Sequence, residues 1–230
     1  MDKIFVKIIK YTLLFLLIFI KNSYAQSLET ILKNSESELI SYVYSNQEKF
    51  EVQIILTELK KRGKSFTIHK KKFNSDKNNY FYPASSIKLP IALLTIEKIN
   101  ESSDLNINSE FSIQGDSIIT TFKKEITDLF IISSNESYNR LFEFLGQDYI
   151  NEKLKQKGFK DFSISHRLST KESDNLKTKE INFYSNGEIY QIQKSIKNKP
   201  LAKLNLKNLN KGVGFILNNK LQNKAMDFSK

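Results

Sequence analysis

The run from Ser85 to Asn100 constrains the fold most. Ile87, Leu89, Leu93, Leu94 and Ile96 place apolar side chains nearly all the way round a helix. Such a helix belongs in a core, between a sheet and other helices. Pro90 falls early in the run, where a missing backbone donor is tolerated with a modest kink. Ser85 and Lys88 open the same helix three residues apart, so they share a face and the amine can lie beside the hydroxyl. Burial favours the neutral amine, which can take the proton from a hydroxyl that is otherwise a weak nucleophile. Backbone N–H groups at a helix start can also stabilise a developing oxyanion. The stretch Tyr80–Leu94 therefore reads as the nucleophile segment of an acyl-transferring serine hydrolase. The spacing alone also fits a plain helix cap at Ser85 and a solvated Lys88.

The rest of the chain supplies a setting for that helix. Residues 28–49 read as an amphipathic helix, broken around Asn34–Ser37. Glu51–Leu59 and Ser65–Phe73 read as two strands of a hairpin around the charged turn at Gly63, with a structural or exposed His69. Residues 101–122 show no clear periodicity. Helices are expected at Lys124–Ser133, Arg140–Leu145 and Asp148–Lys157, the last closed by Gly158. The order of helix, two strands and a run of helices predicts an α+β fold with a helical lobe beside an antiparallel sheet.

The chain begins with a basic segment (Lys3, Lys7, Lys10), an apolar core from Tyr11 to Ile20, and small Ser23 and Ala25. This predicts a secretory signal peptide over residues 1–25, cleaved after Ala25, with one domain over 26–230. The apolar core is too short for a comfortable membrane span; an uncleaved amphipathic anchor is the alternative. The predicted location is secreted or periplasmic. With no cysteine in the sequence, disulfides and lipid anchoring through Cys are excluded. The formal charge is +11, and residues 1–25 hold four Lys and one Asp, which leaves +8 for the mature part. These charges are scattered, without an Arg cluster, so nucleic acid is not expected as a partner; an anionic cell wall or membrane surface fits better.

A second constellation lies downstream. Ser133-Ser134-Asn135, followed by Asn139, stands at a helix-to-helix junction where a hydroxyl and an amide two residues apart can both face a cleft. There the hydroxyl can pass a proton to a leaving group while the amide positions substrate and lysine.

Together, Tyr80–Leu94 and Ile131–Gly146 resemble the class A β-lactamase and penicillin-recognising serine hydrolase family, in which S-x-x-K is followed by S-D-N. The interval here is somewhat shorter than in full-length members, and Ser134 stands where the family usually has an aspartate of mainly structural role. The resemblance implies a β-lactamase/transpeptidase-like fold and a small-molecule β-lactam or a cell-wall peptide as substrate. It implies Ser85 as nucleophile, Lys88 as base or proton relay, Ser133 as proton donor to the leaving nitrogen, and Asn135 as the substrate-orienting amide. The segment Gly158–Ser169 resembles the entry to the family's omega loop, which makes Glu172 the expected activator of the deacylating water. Glu172 lies further from Arg167 than the family spacing, and the surrounding pattern is absent. His166 is expected to be structural, without a metal. No metal or organic cofactor is implied, and the protein is expected to be a monomer.

The family's Lys-Thr-Gly element is missing. Lys211-Gly-Val-Gly214 lacks the hydroxyl and reads as a hairpin or loop. Full-length members continue for several strands and a helix, so the sequence predicts a truncated or degenerate member. Its sheet would be incomplete, with the 51–73 hairpin exposed at an edge, and its stability marginal. Three functional expectations follow: a β-lactamase conferring antibiotic resistance, a cell-wall D,D-peptidase or transpeptidase, and a non-catalytic remnant.

Overall fold

A computed structural model describes residues 26–76, 78–202, 205–207, 209–211, 215–217, 220–222 and 226–227. The expected signal peptide at residues 1–25 lies outside the described residues, as do residues 212–214 of the Lys-Gly-Val-Gly segment. Two compact units divide the chain, Met1–Lys77 and Asn78–Lys230. None of the helices among the described residues is long and apolar enough to cross a membrane.

The first unit holds α1 (Leu28–Lys33), α2 (Glu38–Ser45), β1 (Ile54–Arg62) and β2 (Ser65–Phe73). Ser27 and Ser37 cap the two helices by accepting from the Thr30 and Ile40 N–H groups, which sets the break where the sequence suggested it. The hairpin closes from Arg62 to Ser65 around Gly63 at φ +61°, so β1 runs three residues later than expected. Cross-strand pairing puts Ile55 and Leu59 on one face with Phe66 and Ile68, all four more than half exposed. The other face carries Phe73, which is buried, with its ring 5.9 Å from that of Tyr44. His69 lies opposite Glu58 and is exposed.

The second unit begins with a 3₁₀ turn at Ala84–Ile87, which passes directly into α3 (Lys88–Asn100). Next come β3 (Glu110–Ile113), β4 (Thr120–Thr121), α4 (Phe122–Ile131), α5 (Asn135–Leu145) and α6 (Gln147–Gln156). A second hairpin, β5 (Ile181–Ser185) and β6 (Glu188–Gln193), turns at Asn186-Gly187 with φ of +52° and +81°. Two left-handed residues in an Asn-Gly pair are the turn that suits the twist of a hairpin. The four strands form an antiparallel sheet in the order β4-β3-β5-β6. Short pairs join β7 (Asn210–Lys211) to β10 (Met226–Asp227) and β8 (Phe215–Leu217) to β9 (Lys220–Gln222).

Helices and sheet share one core, with Ile91, Leu94, Phe111, Phe122, Leu141, Phe144, Ile150, Ile181 and Phe183 almost fully buried. The Phe122 ring lies 4.6 Å from both Phe111 and Phe144. The expected α+β class is thus observed. Within this unit, however, the sheet that packs on the helices comes from residues 110–193, for which the sequence had suggested no regular strands.

Three expectations need correction. The α3 helix is not buried all round: Lys88, Ile91, Ala92, Leu94, Thr95 and Ile99 are its buried residues, whereas Leu89 and Leu93 are more than half exposed. Helix α5 starts at Asn135, five residues before the expected Arg140, because the Ser134 hydroxyl accepts from the Ser137 N–H at 3.0 Å and caps it. Ser85 is not a helix cap; it sits inside the 3₁₀ turn, whose cap position is Pro83. Between α5 and α6 the chain bends at Gly146 (φ +76°, ψ +146°), and an added Cβ there would meet Asn198 Oδ1 at 3.3 Å. This backbone conformation belongs almost entirely to glycine.

Candidate active site

The start of α3 and the start of α5 meet at a group of four polar side chains. Lys88 is the first residue of α3 and is 3% exposed. Its Nζ lies 3.3 Å from Ser85 Oγ, 2.9 Å from Ser133 Oγ and 2.8 Å from Asn135 Oδ1, and it also donates to the Ser133 carbonyl. The Ser133 hydroxyl donates to Ser85 Oγ at 3.0 Å. The four residues singled out by motif are therefore joined through Lys88, across 48 positions of sequence between the two serines.

The local backbone explains how short elements bring them together. Three non-glycine residues hold left-handed φ around the site: Ala84 at +46°, Ser133 at +53° and Ser169 at +54°. Ala84 turns the chain into the 3₁₀ segment so that Ser85 stays exposed while Ile87 and Lys88 are buried. Ser133 turns the end of α4 back, so that its carbonyl and hydroxyl both face Lys88 before Ser134 caps α5. Such conformations cost about 1–3 kcal/mol each and persist where surrounding contacts over-determine them.

Two opposing effects act on the Lys88 proton. Burial lowers the Lys88 pKa below the usual lysine value, and the negative charge of Glu136 partly opposes the shift. All four of its hydrogen-bonding partners are neutral oxygens. An ammonium has three donors, so at most three of these can be fully served at once. A neutral amine instead has a lone pair for the Ser85 hydroxyl.

The segment from His166 to Ser169 is bonded to one face of α5. Tyr138 Oη donates to the His166 carbonyl at 3.1 Å. Arg167 pairs with Glu143 at 2.6 and 3.0 Å, with both side chains at least nine-tenths buried, and also donates to the carbonyls of Asn175 and Lys177. Asn139 donates to the Leu168 carbonyl and accepts from its N–H. Asn135 Nδ2 donates to Ser169 Oγ at 3.0 Å. Residues 135, 138, 139 and 143 recur at helical spacing, so one stripe of α5 holds the loop.

Glu172 stands three residues after Ser169. It is exposed and, with Glu136, Asn139, Arg140, Glu143 and Arg167, lines a cavity of about 510 Å³ that Ser85, Lys88, Ser133 and Asn135 do not line. Among the described residues no hydrogen bond joins its side chain to those four; its carbonyl accepts from Asn175 at 3.3 Å. Arg140, on the same helix, donates to Asp116 at 2.9 Å and to the buried Glu125 at 3.3 Å, and Glu125 accepts from Thr120 Oγ1 at 2.6 Å.

Sequence reasoning did not single out Ser169, Glu143 or Glu136. The i, i+3, i+4, i+8 polar stripe of α5 was the available signal for Glu143. Ser169, in a serine-bearing loop, had none. His166 is exposed, and its Nδ1 lies 2.7 Å from the Arg167 carbonyl.

A family model described as the beta-lactamase enzyme family matches residues 35–208, a stretch that holds every residue of this site. No match was found among curated proteins or among solved structures.

Proposed function

We propose, for a chain that belongs to the beta-lactamase enzyme family, an exported serine hydrolase of class A type that opens β-lactam rings through an acyl-serine. The carrying observation is Ser85 Oγ standing 3.3 Å from the buried Lys88 amine and 3.0 Å from Ser133 Oγ. In acylation, neutral Lys88 takes the Ser85 proton as Oγ bonds to the lactam carbonyl carbon. The negative carbonyl oxygen turns toward the N–H groups at the start of the 3₁₀ turn, that of Ser85 included. When the C–N bond breaks, Ser133 passes its proton to the leaving nitrogen and is reprotonated from Lys88. Asn135 holds the amide of the substrate. Water then cleaves the Ser85 ester, releasing the ring-opened acid and restoring the hydroxyl, with Glu172 as the carboxylate candidate for activating that water. The steps call on no metal or cofactor. The proposed setting is outside the cytoplasm after signal cleavage, as a monomer, where β-lactam hydrolysis would confer resistance.

Hydrolysis of a chromogenic cephalosporin by residues 26–230, with a mass-labelled penicillin found on Ser85, is the expected result. Neither turnover nor an adduct would overturn the reading and leave a non-catalytic role. A second reading, a cell-wall D,D-peptidase or transpeptidase, is favoured by one observation: the hydrogen bonds described around Ser85, Lys88, Ser133 and Asn135 include no carboxylate. A penicilloyl group that stays on Ser85 for many minutes supports that reading over the first.

A further inference from the structure

We infer that Ser169 is a positioning residue of this site, holding the Asn135 amide in the orientation that keeps its oxygen on Lys88. The inference rests on the reading of Ser85 and Lys88 given above, and concerns a residue that neither motif contains.

The amide of Asn135 has two ends with opposite requirements. Its Oδ1 accepts from Lys88 Nζ at 2.8 Å, and its Nδ2 donates to Ser169 Oγ at 3.0 Å. Rotating the amide by half a turn would set its NH₂ against the lysine donors and its oxygen toward Ser169. With the lysine acting as donor, only one orientation satisfies Lys88. Ser169 supplies the acceptor that fixes the nitrogen end, and Lys88 fixes the oxygen end. The amide thus ties the loop to the base.

Ser169 does not reach this place by default. Its φ of +54° is a conformation that non-glycine residues adopt rarely. The preceding loop residues force it: Leu168 is bonded at both its N–H and its carbonyl to Asn139, and Arg167 is held by Glu143 and two loop carbonyls. Were backbone geometry the only requirement, glycine would serve better at this position. The serine side chain is what the strained position presents to Asn135. Because Ser169 is exposed, its own hydroxyl proton remains available to solvent or to a bound substrate.

The test compares Ser169→Ala and Ser169→Gly with the wild-type chain of residues 26–230. Ala removes the hydroxyl at unfavourable φ, and Gly removes it while relieving the backbone. Positioning by the hydroxyl lowers the second-order rate of Ser85 acylation by about tenfold in both, the effect of one lost hydrogen bond of about 1.4 kcal/mol. Gly is expected to unfold at the higher temperature of the two. A role in loop conformation alone would leave Ser169→Gly acylating at the wild-type rate, and that result overturns the inference.

A second measurement does not depend on acylation. In protein labelled with ¹⁵N at asparagine side chains, the Asn135 NH₂ protons should show slow solvent exchange in wild type and fast exchange in both variants. Unchanged exchange overturns the inference. A wild-type chain that makes no adduct defeats the proposed reaction, while the exchange measurement still decides the position of Asn135.

Discussion

Asn139 and Leu168 exchange two hydrogen bonds. The side-chain amide donates to the Leu168 carbonyl at 2.9 Å and accepts from its backbone N–H at 2.7 Å. A side chain that mimics a strand neighbour in this way fixes both the distance and the register of the loop on α5. Shifting the loop by one residue would move Ser169 away from Asn135. Replacing Asn139 by Ala removes both bonds at about 1 kcal/mol each. Amide exchange at 166–169 is expected to accelerate by roughly 30-fold, the rate ratio for about 2 kcal/mol, while exchange in α3 stays at the wild-type rate.

Acylation should depend on pH through Lys88. Burial lowers its pKa below the ordinary lysine value, so the reactive neutral amine accumulates at lower pH than it would for an exposed lysine. The acylation rate is expected to climb with pH, with its rise displaced below that of an ordinary lysine. Lys88→Arg keeps a charge that does not titrate there, so the rise should vanish and the rate fall by about 10²–10⁴-fold. Stopped-flow acylation between pH 6 and 10 measures both.

The Arg167–Glu143 pair is buried, and removing one member leaves the other without its countercharge. Glu143→Gln is expected to cost about 3–5 kcal/mol, a fall of roughly 10 °C in Tm for a unit of this size. Its effect on acylation should exceed that of Asn139→Ala, because Glu143 also accepts from the Lys179 N–H at 2.8 Å. Calorimetry and labelled penicillin read the two effects.

Lys98 carries a stability signature distinct from the site. It donates to the Phe144 carbonyl and lies 4.4 Å over the Phe144 ring, and burial lowers its pKa to about 8. Between about pH 8 and the ordinary lysine value near 10.4, the unfolded chain holds more of this proton than the folded one. Stability contributed by Lys98 therefore rises with pH across that window and is level below it. Relative to Lys98→Met, the wild-type chain should gain stability from pH 8 to 10 in urea titrations. An unchanged difference would show that Lys98 does not titrate there.

Much of this arrangement was legible beforehand. The S-x-x-K pair stood on a helix whose apolar residues demanded burial, and Ser133 and Asn135 stood at a junction between two periodic segments. The loop from Gly158 to Ser169 was readable as a loop. The β5–β6 hairpin carried its signal in Asn186-Gly187 but went unread, because the strands on either side alternate weakly. Strands β3 and β4 are too short for a period to show. Glu143 sits among Leu141, Phe142, Phe144 and Leu145; a carboxylate in such company reads as a helix-surface charge until its partner, 24 residues away, is known. Glu172 is the glutamate that follows the omega-like segment, although it lies further from Arg167 than the family spacing. In the folded loop, hydrogen bonding to Asn135 falls to Ser169, since Asn139 sets the register.

The left-handed backbone at Ala84, Ser133 and Ser169 also bears on how this chain can drift under mutation. Glycine at position 84 relaxes the backbone and removes a methyl that makes none of the site's hydrogen bonds, so folding and activity can improve together. At 133 and 169 the same change relaxes the backbone but deletes a hydroxyl of the site. A population screened only for abundance would enrich glycine at all three positions, and one screened for β-lactam turnover only at the first. Comparing the two populations position by position separates residues kept for shape from residues kept for chemistry.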